Sequence, residues 1–296
     1  MTGPAATYCG GDAVLATMHG KEAAIAPVFH EVLGLTLLVP DGLDTDTLGT
    51  FTGEVSRPGT MEEVLRRKAR LGMQVSGLGR GIASEGSYGP HPVVPFLPFG
   101  SEKMIFIDDE RRLSVIEHWA DERPSFRTWQ VRDPEELTDA ALMDIGFPDQ
   151  ALIVRPAEGL AGQPSADPAC NGLAKGLRDR TALDAAIRTA TGLSADGRAQ
   201  VETDMRAFHN PRRMQVLASL ARKLADRLAT PCPVCDAPGW GRTRVEIGLP
   251  CAECGSPSTL VRSEIFSCAG CGLETVRPRT DGLEAADPGR CNTCNP

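Results

Sequence analysis

Residues 13–40 read AVLATMHGKEAAIAPVFHEVLGLTLLVP. AVLATM is a short apolar run of strand length. KEAAIAPVFHEVL spaces its apolar side chains three and four apart, as one face of a helix does. Gly34 ends that helix, and LTLLVP resumes as a strand. Strand, helix and strand in this order predict a mostly parallel or mixed sheet with flanking helices, because parallel strands need a crossover to join them. Gly20 and Lys21 stand at the first turn. Glycine lets a ligand approach the backbone, a helix start offers free N–H groups, and lysine adds charge. Together they predict an anion pocket, with a solvated surface lysine as the plain alternative.

The α/β pattern continues outward. TMEEVLRRKARLGM (60–73) is an amphipathic helix in which Thr60 and Glu63 complete a capping box. GRGIASEGSYGPHP (79–92) reads as a short strand running into a Gly-rich loop, a place where α/β proteins hold ligands, so Glu85 is the leading functional carboxylate. His91, in the following Pro-rich stretch, suits turn structure better than catalysis. KMIFIDD (103–109), RTWQVRD (127–133) and QALIVRP (150–156) read as strands, and ERRLSVIEHWA (110–120) and PEELTDAALMDIG (134–146) as helices. Residues 157–172 are loop-like and mark an internal boundary. Beyond them the chain reads as helical: TALDAAIRTAT (181–191), GRAQVETDMRAFH (197–209), and PRRMQVLASLARKLADRL (211–228) with Asn210 as its cap and Pro211 at its first position. Arg206, His209, Asn210, Arg212 and Arg213 crowd that last junction. They form either a phosphate-binding cluster or a capped turn with solvated arginines.

Eight of the ten cysteines lie after residue 230, as four C-x-x-C pairs: Cys232 and Cys235, Cys251 and Cys254, Cys268 and Cys271, Cys291 and Cys294. Each such turn aims two thiolates at one ion, so four pairs predict two structural zinc ions, each closed by four thiolates; disulfides and iron are the competing readings. The zinc-ribbon pattern of CAECGSPSTLVRSEIFSCAGCG favours a nested arrangement, the second pair with the third and the first with the fourth. A meander of RTRVEIG, TLVRSEIF and LETVRP would instead join first with third and second with fourth. Cys9 and Cys170 read as ordinary thiols. The expected organisation is an α/β domain over 1–230, its C-terminal part helical, and a zinc-ribbon-like domain over 231–296.

With 41% hydrophobic and 24% charged residues the composition is that of a globular chain, and no apolar run approaches the length of a membrane span. The N-terminus lacks the features of a signal peptide, so a cytoplasmic location is expected. A net charge of −8 argues against broad nucleic-acid binding, although Arg242, Arg244, Arg262, Arg277 and Arg279 allow a local basic patch. No nucleophile elbow, HExxH, Walker or Rossmann motif is present, which disfavours serine hydrolases, zincins, P-loop NTPases and nicotinamide dehydrogenases.

ATMHGKEAAI, RPGTMEEVLRRKARLGMQVSGL and GIASEGS together resemble, in order and spacing, the inosine/xanthosine triphosphate pyrophosphatase family up to about residue 90. Gly20 and Lys21 match that family's Gly-Lys step. Thr60, Glu62, Glu63, Lys68 and Ala69 match its Thr-aromatic-Glu-Glu-Asn helix and Lys-Ala, with Val64 in place of the asparagine. Ser84, Glu85, Gly86 and Ser87 stand where the family has an acidic pair. The whole chain also resembles an uncharacterised bacterial family, the DUF6671-like proteins, ending in a zinc-ribbon segment. The first resemblance implies phosphates held by Gly20, Lys21, Lys68, Ser84 and Ser87, and Mg²⁺ held by Glu85 with Glu62 or Glu63. Arg206, Asn210 and Arg212 would approach from the helical region.

Two functions follow. One is a Mg²⁺-dependent, pyrophosphatase-like hydrolase of a nucleotide or other phosphorylated small molecule, the zinc segment serving as lid, homodimer contact or stabiliser. The other is a non-enzymatic protein whose zinc ribbon contacts a protein or nucleic acid. Lys21 and Glu85 on opposite faces of the sheet would remove the pyrophosphatase-like reading and leave the second as the better account.

Overall fold

The computed structural model describes residues 5–18, 20–43, 59–158 and 171–296. After a single turn, α1 (Ala5–Tyr8), the expected strand, helix and strand follow: β1 (Asp12–Ala16), α2 (Glu22–Leu33) and β2 (Thr36–Leu38). Gly34 caps α2 in a left-handed conformation, φ 64°. Helix α3 (Met61–Ser76) starts on the Thr60–Glu63 capping box and leads into a meander, β3 (Arg80–Pro90), β4 (Pro98–Asp108) and β5 (Leu113–Asp121). The sheet order is β2-β1-β3-β4-β5. Its first three strands run parallel and its last three antiparallel, so the sheet is mixed.

Two sequence readings change here for physical reasons. Residues 110–120 are no helix. Leu113, Val115 and Glu117 are buried while the residues between them are less so, and this alternation places β5 beside β4. The Gly-rich stretch 79–92 is no loop either, because β3 stays paired with β4 through Pro90↔Pro98. Gly86 is required by packing: a Cβ there would collide with Glu102 Oε1.

A second, antiparallel sheet is built from β6 (Thr128–Val131), β7 (Leu152–Pro156), β8 (Ala174–Leu177) and β9 (Ala199–Thr203), in the order β6-β9-β7-β8. The short α4 (Asp139–Asp144), capped by Thr138, and the longer α5 (Arg180–Leu193) supply Leu142, Leu183 and Ile187 to its core. PEELTDAALMDIG therefore shortens to a 3-10 turn and α4. GRAQVETDMRAFH is mostly strand, since Ala199, Val201 and Thr203 are buried at period two. The region after residue 172 is thus not purely helical. Pairing of β7 with β8 and β9 also ties together the chain on both sides of the expected 157–172 boundary, most of which, Cys170 included, lies outside the described residues.

Helix α6 (Pro211–Leu228) joins the parts. Its buried stripe of Leu217, Leu220, Ala221, Leu224, Ala225 and Leu228 packs with α2 residues Ile25, Phe29 and Leu33 on one face of the first sheet, against Leu15, Ile82, Met104 and Phe106. Helix α3 covers the other face through Leu65, Ala69 and Met73. The chain ends in a three-stranded meander, β10 (Gly241–Ile247), β11 (Val261–Ser267) and β12 (Glu274–Pro278). No helix among the described residues is long and apolar enough to cross a membrane.

Leu220 is fully buried in the stripe. Leu220→Ala is expected to cost about 2–5 kcal/mol, through lost burial and the cavity left behind, read as a lower denaturation midpoint.

Candidate functional site

The long β3–β4 hairpin outruns β1. Strand β1 ends at Ala16, opposite Ala83, and the next carbonyl along β3, that of Ser84, accepts from Lys21 Nζ at 3.0 Å; Ser84 Oγ accepts from it at the same distance. Gly20 turns the chain there with φ +65°. Lys21 begins α2 and is only 6% exposed, so it is not the solvated surface lysine of the plain reading.

Alternation along β3 divides its neighbours. Glu85 faces α3, where Lys68 donates to it at 2.7 Å, and both side chains are buried. The cross-strand partner of Glu85, Lys103, donates in turn to Glu62 at 2.6 Å. On the α6 face, Glu102 lies opposite Gly86 and accepts from Arg213 Nε at 2.5 Å and from the Tyr88 hydroxyl at 2.6 Å. Arg213 also donates to the Met205 carbonyl. Glu102 Oε2 is buried with no hydrogen-bond partner among the described residues. Ser84 and Glu85 therefore serve opposite faces, and Lys21 sits at the open strand edge between them.

Electrostatics follow from this crowding. Burial, reinforced by Arg213 and Lys68 against the pull of Glu102 and Glu85, brings the Lys21 ammonium down to about 7. Burial alone would raise Glu102. Arg213, Lys21 and the Tyr88 hydroxyl outweigh it and hold the carboxyl below the usual range. Tyr88 is pushed upward by burial and by Glu102.

The other residues expected at the site are arranged differently. Glu63 is exposed and closes the Thr60 cap, accepting from Thr60 N at 2.7 Å. Ser87 lies farther out on β3, opposite Ser101. Asn210 is buried as the cap of α6, its Oδ1 accepting from Arg213 N and Ser125 Oγ. Arg212 pairs with Asp121 at 3.2 Å. Arg206 pairs with Asp204 at 2.6 Å, and its guanidinium lies over Phe208, whose Cβ is beside Gly20. His91 is a turn residue, its Nδ1 accepting from Val93 N and Val94 N. Glu102 and Tyr88 were not singled out in the sequence, and Arg213 was noted only as part of the helix junction. The one available signal was Gly86, whose missing side chain makes room for Glu102.

The cysteines form two tetrads: Cys232, Cys235, Cys268 and Cys271, and Cys251, Cys254, Cys291 and Cys294, with the sulfurs of each within 4.8 Å of one another. The nested arrangement is overturned. Strands β10, β11 and β12 each run from one end of the small sheet to the other, which brings the first knuckle to the third and the second to the fourth. Cross-knuckle sulfur distances are 3.8 and 3.7 Å in the first tetrad, 3.9 and 3.6 Å in the second. A zinc with bonds of about 2.3 Å places tetrahedral sulfurs about 3.8 Å apart, so both tetrads fit the ion, and these distances are far from a disulfide. Each knuckle closes with a backbone N–H returning to its first cysteine's carbonyl, from Asp236, Gly255, Gly272 and Asn295. The first three of these residues have positive φ, which Asp and Gly tolerate. Most arginines of the suspected basic patch are neutralised, Arg242 by Glu264, Arg244 by Glu274 and Arg279 by Asp281.

A family described as Domain of unknown function (DUF6671) matches residues 68–296. The chain belongs to it. The part matching DUF6671 holds both tetrads together with Lys68, Glu85, Glu102 and Arg213, whereas β1 and Lys21 precede it. No curated protein and no solved structure matches the chain.

Metal analysis of reduced protein is expected to find about two zinc ions per chain, at four thiolates per ion. Cys232→Ser should leave about one and Cys9→Ser both. A second expectation concerns pH. Lys21 titrates lower folded than unfolded, so the unfolded chain binds more protons between pH 7 and 10.5. Its burial penalty is full below pH 7 and fades as pH rises through that window, by at most about 1.4 kcal/mol per pH unit. Denaturation of Lys21→Met beside the parent chain should show this slope lost in the variant.

Proposed function

We propose that this protein binds a phosphorylated small molecule at the cluster around Lys21, and that residues 231–296 form a structural zinc-bearing domain on the 1–230 α/β domain. The observation carrying this reading is that Lys21 is buried at a strand-to-helix turn with no carboxylate in bonding range among the described residues. Phosphate is a ligand that turns such an amine's burial from a cost into a contact.

Phosphoanhydride hydrolysis is the second reading. Its support is that Lys21, Lys68 and Glu85, three positions matched by the pyrophosphatase resemblance, lie in one cluster. The carboxylates do not fit Mg²⁺ as they stand. Glu85 is engaged by Lys68, Glu62 by Lys103 and Glu63 by the Thr60 cap. The only groups of three or more metal-donor side chains among the described residues are the cysteine tetrads. Lys21 and Glu85 also bond on different sides of β3, so binding is favoured over catalysis. The neutralised arginines weaken the nucleic-acid variant of the binding-protein reading.

Calorimetry with inorganic pyrophosphate and nucleoside triphosphates should show binding that Lys21→Met weakens at least about ten-fold, the loss of one charge-assisted contact. A phosphate-release screen with Mg²⁺, run beside Glu85→Ala, decides hydrolysis. Release abolished in that variant supports an enzyme, and binding without release supports a binding protein.

A further inference from the structure

The chain has five lysines. Lys68, Lys103 and Lys223 each hold a carboxylate, at 2.7, 2.6 and 2.8 Å. Lys21 differs: among the described residues its Nζ bonds only to the neutral Ser84 carbonyl and hydroxyl. Arg213 from α6 and Lys68 from α3 bear on it as positive charges, Glu102 of β4 and Glu85 of β3 as negative ones. A lysine that is desolvated, crowded by cations and left without a carboxylate partner keeps its lone pair near neutral pH, which is how a protein makes an amine nucleophilic.

We propose that Lys21 is a carbonyl-reactive amine, forming an imine with an aldehyde or ketone that carries an anionic group. The nitrogen lone pair forms the N–C bond as the carbonyl π pair moves to oxygen. Two protons pass from nitrogen to that oxygen, the C–O bond breaks, and water leaves behind the C=N bond. No electron is gained or lost overall. Ser84 Oγ, 3.0 Å from Nζ, is placed to relay a proton in this exchange. Glu102 and Glu85 steady the protonated imine as they steady the ammonium. An anionic substituent on the carbonyl compound suits the start of α2, where the helix N-terminus adjoins Lys21. This assignment uses the cluster of the binding reading but not its outcome, since imine formation and phosphate binding are measured separately.

The support from titration agrees. With its ammonium brought to about 7, roughly half of Lys21 is neutral at pH 7, against fewer than about one in a thousand of an ordinary surface lysine.

The test treats the full zinc-loaded chain with glyoxylate and cyanoborohydride at pH 7, and follows alkylation of each lysine by peptide mass mapping. Lys21 is expected to be labelled at least about ten-fold faster than Lys103 or Lys223, at a rate rising with pH around a midpoint near 7. Comparison within one folded molecule removes dependence on any variant's folding. Lys21→Met should lose the fast label and leave the slow ones unchanged. Labelling of Lys21 no faster than the surface lysines overturns the assignment. If pyrophosphate still binds in that case, the imine alone is rejected and the binding reading stands. Fast labelling without pyrophosphate binding keeps the imine and rejects that reading.

Discussion

The pair Glu102–Arg213 links residues 111 positions apart, both essentially without solvent exposure. It fastens the outer part of the β3–β4 hairpin to the first turn of α6. Removing either partner strands a buried charge, typically a cost of about 3–5 kcal/mol, so strand and helix are held in one relative position. Gly86 leaves room for this pair, Tyr88 and the Met205 carbonyl add hydrogen bonds to it, and the Asn210 cap orients the turn that delivers Arg213. Lys21 then inherits its surroundings: the end of β1 directs it to Ser84, and the pair supplies one charge of each sign beside it.

The other end of α6 is where the cysteine-rich segment attaches. Arg227 donates to the Gly239 carbonyl and pairs with Glu117 of β5, and the Gly239 and Trp240 amides return to the Thr230 carbonyl. Gly239 is needed there, since a Cβ would meet Val115 at 2.7 Å. Trp240 packs with Cys232 and Cys268 of the first tetrad. That small cluster, with Leu249, Ile265 and Ala286, is a slight apolar core for the three-stranded sheet, and an ion held by the four thiolates of each tetrad would add cohesion that burial alone does not give. A single helix thus carries a cluster residue at its start and steadies the first cysteine tetrad at its end.

Parts of the architecture were legible in the sequence because they depend on local chemistry. The 13–40 strand, helix and strand, the Thr60–Glu63 cap, the α6 stripe with its Asn210–Pro211 start, and the four knuckles each follow from spacing within one segment. Strands β5 and β9 were not legible. ERRLSVIEHWA and GRAQVETDMRAFH carry enough helix-favouring residues to imitate a helix, and their alternation becomes decisive only when β4 and β7 offer edges to pair with.

The candidate site divides along the same line. The sequence alone determined that eight cysteines form four two-thiolate turns, and that Gly20 and Lys21 occupy a strand-to-helix turn, because these facts need only neighbouring residues. Which knuckles share an ion was decided by the tertiary structure, since three antiparallel strands carry the chain from end to end and bring alternate knuckles together. The same holds for the acids. Glu62 and Glu63 look equivalent in sequence, yet one meets Lys103 across the fold and the other closes its own helix. Glu102 becomes part of the cluster only because β4 sets it opposite Gly86 and α6 brings Arg213 to it. Burial and charge at Lys21 come from four elements distant in sequence, and an electrostatic environment of that kind exists only once the chain has folded.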